Sequence, residues 1–149
     1  MEPLPEAVKE FVAAARVCRI ASVRPVPSSV EGPDGEPHVI PVCPVFDGES
    51  TVYVDIGKRY TTAEALRADP RIAVLIDEYD DNWALLKGVL LRCRVEEAAG
   101  DELDRAWEMI REKFPQYKPI GWEPRLTLAL RIYDWRQWGV TAPPRYEAE

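Results

Sequence analysis

The chain has 149 residues, the length of one ordinary domain and enough to bury a core without disulfide or metal staples. Apolar residues make up 46% and charged residues 30%, the balance of a folded soluble chain, and the net charge of −7 opposes the basic surface that nucleic acid demands. No apolar run approaches the ~20 residues that span a bilayer, and the acidic, proline-bearing start Met1-Glu2-Pro3-Leu4-Pro5-Glu6 does not read as a signal peptide, so a cytoplasmic protein without membrane or nucleic-acid partners is expected.

No repeat, low-complexity segment or linker divides the chain, which reads as a single domain over 1–149. A helix is expected from about Pro5, with Val8, Phe11, Val12 and Ala15 at helical spacing. Val17–Val23 is rich in β-branched residues and reads as a strand. Residues 24–37 hold the turn signal Pro33-Asp34-Gly35 and several prolines, so they form a wide hairpin connection. A second strand is expected over His38–Phe46, irregular because Pro41 and Pro44 cannot donate to a ladder. Asp47-Gly48 turns into Thr51–Ile56, where Val52, Val54 and Ile56 face inward. Thr61 and Glu64 are spaced as a capping box for a short helix that ends at Asp69-Pro70. Arg71–Ile76 is an almost continuous apolar strand; an acidic loop follows at Asp77–Asn82; Val89, Leu91, Cys93 and Val95 alternate with polar neighbours in the next strand. A long helix begins near Asp101 with Leu103, Trp107, Ile110 and Phe114 as its stripe, stopped by Pro115. Leu126, Leu128, Leu130 and Ile132 alternate in the last strand, which Trp135 and Trp138 close. About six strands at irregular spacing favour an antiparallel barrel with flanking helices over parallel βαβ repeats.

The catalytic inventory is thin. His38 is the only histidine, and a strand position satisfied by backbone or solvent accounts for it; no serine lies in a nucleophile elbow, and no glycine-rich phosphate loop occurs. Cys18, Cys43 and Cys93 are widely spaced and read as reduced, buried strand residues, and a zinc site is not expected. The acidic loop 77–82 lacks the spacing of a calcium loop and reads as a solvated turn. The segment Gly57-Lys58-Arg59-Tyr60-Thr61-Thr62 places two cations and two hydroxyls just before a helix start, which is an anion site by charge and dipole, although such pairs are also common surface features. Trp83, Trp135 and Trp138 serve core packing or subunit contact, or else stack beside a flat ring.

Taken in order, Arg19–Val23, Gly35-Glu36-Pro37-His38-Val39-Ile40-Pro41-Val42, Val52–Asp55, Lys58-Arg59, Thr61-Thr62 and Leu66–Ile76 resemble the pyridoxamine 5′-phosphate oxidase-like family, over about Glu6 to Gly139. Glu78–Trp83, Phe114–Tyr117, Trp135 and Trp138 are similar to segments of its branch of deazaflavin-dependent oxidoreductases. The resemblance implies an α+β, mainly antiparallel, six-stranded split β-barrel of Greek-key topology with flanking helices. It also implies a homodimer with two cofactor sites at the interface. FMN would be the cofactor, its phosphate held by Lys58, Arg59, Thr61 and Thr62. Its ring would lie along the backbone of His38, Ile40, Pro41, Val42, Val54 and Asp55, with Trp83, Lys87 and Trp138 contributing to the site. A deazaflavin coenzyme (F-420) is the alternative, with Arg59, Arg67 and Lys87 for its acidic tail; a non-catalytic flavin- or haem-binding protein is another. The expected activity is flavin-dependent oxidoreduction of a small molecule, with no catalytic side chain assigned because the cofactor does the chemistry. Two departures stand out. Thr62 occupies a position that is lysine in much of the family, and Gly88 aligns with a polar flavin contact. The chain also ends without the arginine-bearing extension that binds substrate in the oxidase.

Overall fold

Helix α1 (Glu6–Ala14) starts one residue after Pro5, whose carbonyl receives the amides of Val8 and Lys9 at 3.0 Å, and Val8 and Val12 are buried one turn apart. The computed structural model describes residues 1–23, 35–57, 60–119 and 126–142. Within them, strands β1 (Cys18–Val23), β2 (Pro37–Val42), β3 (Val45–Phe46), β4 (Thr51–Gly57), β5 (Arg71–Glu78), β6 (Lys87–Glu97) and β7 (Leu126–Trp138) form one antiparallel sheet in the order β2-β1-β5-β6-β7-β4-β3. Two further helices are α2 (Tyr60–Ala68) and α3 (Gly100–Lys113).

The described strands number seven where six were expected, because the strand expected over His38–Phe46 is two. Pro44 has no N–H and Cys43 precedes it in neither ladder, so the chain leaves β1 at Val42 and joins β4 at Val45. Only two residues separate β2 from β3, yet they lie at opposite edges of the hydrogen-bonded order. Such a short link requires the sheet to curl until its edges meet, which makes it a split barrel rather than an open sheet. Cys43 is accordingly half-buried in the link and not in a strand, whereas Cys18 and Cys93 are fully buried strand residues; all three are free thiols.

Burial follows the expected alternation. Cys18, Ile20, Val52, Val54, Ile56, Val74, Val89, Leu91, Leu128 and Leu130 fill the barrel, closed at one end by Ala63 and Leu66 of α2. β5 is apolar from Ile72 to Ile76 but alternates buried and half-buried, because among the described residues no helix covers its outer face. β4 is buried on both faces because Tyr53 joins a second core with Val45, Ala129, Ala106, Ile110 and Phe114 under α3. The buried stripe of α3 is therefore Ala106-Ile110-Phe114, with Leu103 and Trp107 half-exposed at its border. The smallest of these side chains, Ala106, lies fully buried in that second core, letting the helix sit close to the sheet.

Local signals behave as their chemistry requires. Asp47 Oδ1 accepts the amides of Glu49, Ser50 and Thr51 at 2.8–3.0 Å, and Gly48 takes φ 88°. In the acidic loop Asp80 accepts from the amide of Asn82 at 2.7 Å, and Asn82 from that of Ala84 at 3.2 Å. Those side chains build turns. α2 begins at Tyr60, so Thr61 lies in its first turn and not at the N-cap. The connection expected over 24–37 lies outside the described residues up to 34.

Candidate functional site

The curled sheet leaves two strand edges facing each other. β2 pairs with β1 along its whole length, and among the described residues no strand pairs with its other edge. β3 covers only Val52 and Tyr53 of β4, so among the described residues Val54–Gly57 has no partner strand on that side. β2 and β4 come close to each other where the barrel is split. They contain six of the expected ring contacts, and among the described residues their outer edges carry main-chain groups that no strand pairs. Val42 and Val54 turn their side chains into the core, at 7% and 0% exposure, and His38 and Ile40 share that inward face opposite Ser22 and Ile20. Pro41 faces outward.

Asp55 is buried, and its Oδ1 accepts the amide of Gly57 at 3.0 Å. Gly57 adopts φ 60°, a left-handed conformation that glycine enters without Cβ strain. Asp55 thus shapes the turn that leads from β4 to α2, a structural task. Lys58 and Arg59, which follow, lie outside the described residues; Thr61 and Thr62 are in the first turn of α2 by backbone, and their side chains are not described. Two buried hydroxyls without a partner among the described residues, Ser22 and Thr127, lie at this same end, opposite His38 and Asp55 in the ladders.

Trp83, Lys87 and Trp138 gather at the other end. Lys87 pairs with Glu78 at the start of β6, the next residue, Gly88, pairs with Trp138, and Trp83 opens the short turn before them. Gly57 stands opposite Leu126, the first of 13 residues in β7, and Trp138 is the last, so roughly 40 Å of extended strand lies between those two residues, whereas Pro41 shares a ladder row with Arg19, Leu75, Leu90 and Arg136 and is level with the Trp138 end. Trp83, Lys87 and Trp138 therefore lie a strand's length from Gly57 within one protomer.

Gly88 has a local explanation. A Cβ there would fall 1.9 Å from Cζ2 of Trp138, inside the indole, so the ring lies flat on bare backbone. The missing polar side chain is replaced by an aromatic one from the neighbouring strand. Trp135, by contrast, faces the core and donates its Nε1 to the carbonyl of Glu2 at 3.0 Å. The thiols of Cys18 and Cys93 are pushed up to about 12 by burial, which keeps them protonated and poor nucleophiles.

Residues the sequence did not single out also form a hollow, on the outer face of β1 and β5 between Arg71, Arg92 and Tyr133. Alternation placed Arg92 and Arg94 outward, but the hollow depends on Ala21 standing opposite Ala73 across the two strands. That is a fact of register, which spacing within one strand does not reveal.

Among solved structures, a haem-binding protein from Mycobacterium smegmatis superposes with a TM-score of 0.70 at 19% identity, covering 93% of this chain and 56% of that one. This chain therefore spans little more than half that protein's length. An FAD-binding protein from Mesorhizobium loti gives 0.65 at 21% identity over 91% and 95% of the two chains. An F-420 reductase gives 0.65 at 17% identity over 89% and 98%. At these identities the likeness is one of fold. No curated protein matches the sequence. Among the described residues no helix is long and apolar enough to cross a membrane. The model of the pyridoxamine 5′-phosphate oxidase family matches residues 4–139, and with the curled antiparallel sheet it shows that the chain belongs to that family.

Proposed function

We propose that the protein binds FMN and acts as a flavin-dependent oxidoreductase on a small molecule, with each cofactor site completed by a second copy of the chain. The observation that carries this reading is the pair of unpaired strand edges, β2 and Val54–Gly57, which leave backbone donors and acceptors at the split. A flat, polar-edged ring is held well by such groups, and they leave no mark in the side-chain inventory. In sequence Lys58 and Arg59 immediately precede α2 and Thr61 and Thr62 fall in its first turn, and a phosphate is favoured before a helix start. When bound, the flavin supplies hydride and electron transfer, and the protein orients the ring and keeps water from it.

The strand's length between Trp138 and Gly57, where the chain turns towards α2, supports a dimer. A two-fold operation brings one end of a protomer to the other end of its partner, giving two equivalent sites from one interface. A dimer of this kind buries at least about 1,000 Å², and the uncovered outer sheet face is where that area is available. The deazaflavin alternative keeps the same edges and adds Arg67 and Lys87 for an acidic tail. A haem reading has less support, because His38, the only histidine, shares the inward face of β2 with Ile40 and Val42.

FMN, riboflavin and the F-420 coenzyme should be titrated against wild type and a Lys58→Ala/Arg59→Ala variant. Wild type should prefer FMN to riboflavin, and the variant should lose about one to two orders of magnitude in FMN affinity while remaining folded. Equal FMN binding by both proteins refutes the phosphate assignment. Preference of wild type for the deazaflavin replaces the cofactor, and a monomer by sedimentation at micromolar concentration removes the shared site.

A further inference from the structure

Helix α2 closes one end of the barrel with Ala63 and Leu66, one small side chain and one large, a turn apart. It is held where it stands by contacts at its far end. Pro70 stops the helix, and the Pro70 carbonyl receives the amide of Val95 at 2.8 Å, which fixes that end at the height of Val95. Arg67 ties it to β6 a second time, donating Nε and Nη2 to Glu97 Oε1 at 3.3 and 3.1 Å. Between the helix and the strands there remains a pocket of about 220 Å³, lined by Ala63, Leu66, Pro70, Val95, Leu126 and Leu128. The burial of the core agrees with it. Val52, Val54, Val74 and Leu91 are fully enclosed, whereas Val95 and Leu126 pack against the same core and are only half-buried.

Volume and lining set the class of occupant. Apolar side chains around an unfilled space give up dispersion contacts, and water entering it finds few partners. An apolar cavity of about 150 Å³ admits benzene, so this one accepts a single ring with roughly one or two further heavy atoms. The charged residues that line it are Arg67 and Glu97, exposed at 65% and 53% and paired with each other, so the mouth carries no net charge. An exposed pair of this kind is weak and yields to an entering molecule. A charged ligand would surrender its hydration to a neutral rim, while a neutral one surrenders little. The pocket opens beneath α2 on the inner side of β6 and β7, away from the outer sheet face that a second copy would cover. None of the residues assigned to FMN lines it.

We propose that the pocket beneath α2 binds a small neutral molecule with one ring and at most one hydroxyl, a phenol or a cyclic alcohol. Its ring lies between Leu66 and Leu128, and its hydroxyl stays at the Arg67–Glu97 rim. The site does not depend on the flavin assignment.

The test is titration of the full chain with phenol, and with benzoate as its charged counterpart, followed by calorimetry and by the NMR signals of the methyl groups. Phenol should bind with a Kd on the order of 1 mM and raise the Tm. Its ring current should move the methyl signals of Leu66, Val95, Leu126 and Leu128. Benzoate should bind about tenfold more weakly or worse. Ala63→Leu, which sets a larger side chain into the pocket, should abolish phenol binding, and Lys58→Ala/Arg59→Ala should bind phenol as wild type does. The proposal is overturned if about 10 mM phenol leaves those four residues' methyl signals unmoved. It is equally overturned if benzoate binds as tightly as phenol, which would make Arg67 an anion site, or if a folded Ala63→Leu chain binds phenol as wild type does. Loss of phenol binding in the Lys58/Arg59 variant would place the molecule at the flavin cradle and also overturn it. Where Ala63→Leu does not fold, the methyl shifts of wild type decide.

Discussion

Replacing Gly88 with alanine adds one methyl group to a strand, a change that ordinarily stabilises because glycine has more freedom to lose. Here it should destabilise. The added Cβ would fall 1.9 Å from Cζ2 and 2.1 Å from Cε2 of Trp138, so the indole must leave its seat. Trp138 is 38% exposed, and a tryptophan buries about 150–250 Å² when fully enclosed, so expulsion uncovers on the order of 100–150 Å². At about 25 cal/mol per Å² the loss is roughly 2.5–4 kcal/mol, and partial reseating of the ring brings it to about 2 kcal/mol. For a chain of this size that lowers Tm by about 4–8 °C. Thermal unfolding followed by circular dichroism measures it, and acrylamide quenching of tryptophan fluorescence reports the displaced ring. A double-mutant cycle isolates the cause: in a Trp138→Ala background the Gly88→Ala change should be neutral or mildly stabilising. An unchanged Tm in the single variant, or the same loss in both backgrounds, would refute the interlock.

Two other perturbations probe how the barrel is held. Lys113 donates to the carbonyls of Ala13, Ala15 and Pro44 at 2.8, 2.6 and 2.9 Å, tying the end of α1 to the link between β2 and β3. Lys113→Met should cost about 2–3 kcal/mol in urea unfolding, and a loss below 0.5 kcal/mol would show that water replaces the ammonium without penalty. Glu102 accepts from Arg131 at 2.7 and 2.9 Å and from the Tyr53 hydroxyl at 2.8 Å, and the guanidinium first, then the phenol, lowers its pKa from 4.5 to about 2. A depressed carboxyl contributes stability that is full above pH 4.5 and lost as pH falls towards 2. With Arg131 35% exposed, solvent screening reduces this to about 1 kcal/mol, and Glu102→Gln should flatten the pH dependence of Tm in that window. An identical acid slope in the variant would assign the loss to other groups.

Some of this molecule follows from local chemistry alone. Alternation in Val52–Ile56, Val89–Val95 and Leu126–Ile132 marks the inward faces because side chains alternate across a strand wherever it is placed. Asp47-Gly48 turns because a short carboxylate accepts the amides ahead of it and glycine takes a positive φ, and Pro44 breaks its strand because it has no N–H to give. These are properties of a few neighbouring residues, and with the order of segments they were enough to identify the antiparallel split-barrel class and the family. Other features needed partners distant in sequence. Which residues of α3 are buried was decided by the surface of β4 and β7 against which it packs, so Ala106 displaced Leu103 and Trp107 from the expected stripe. That Gly88 lies under Trp138, that Ala21 meets Ala73 beside Arg92, and that Lys87 and Trp138 lie a strand's length from Gly57 are consequences of register. Register is set by pairing across the whole sheet, and no spacing within a single segment contains it.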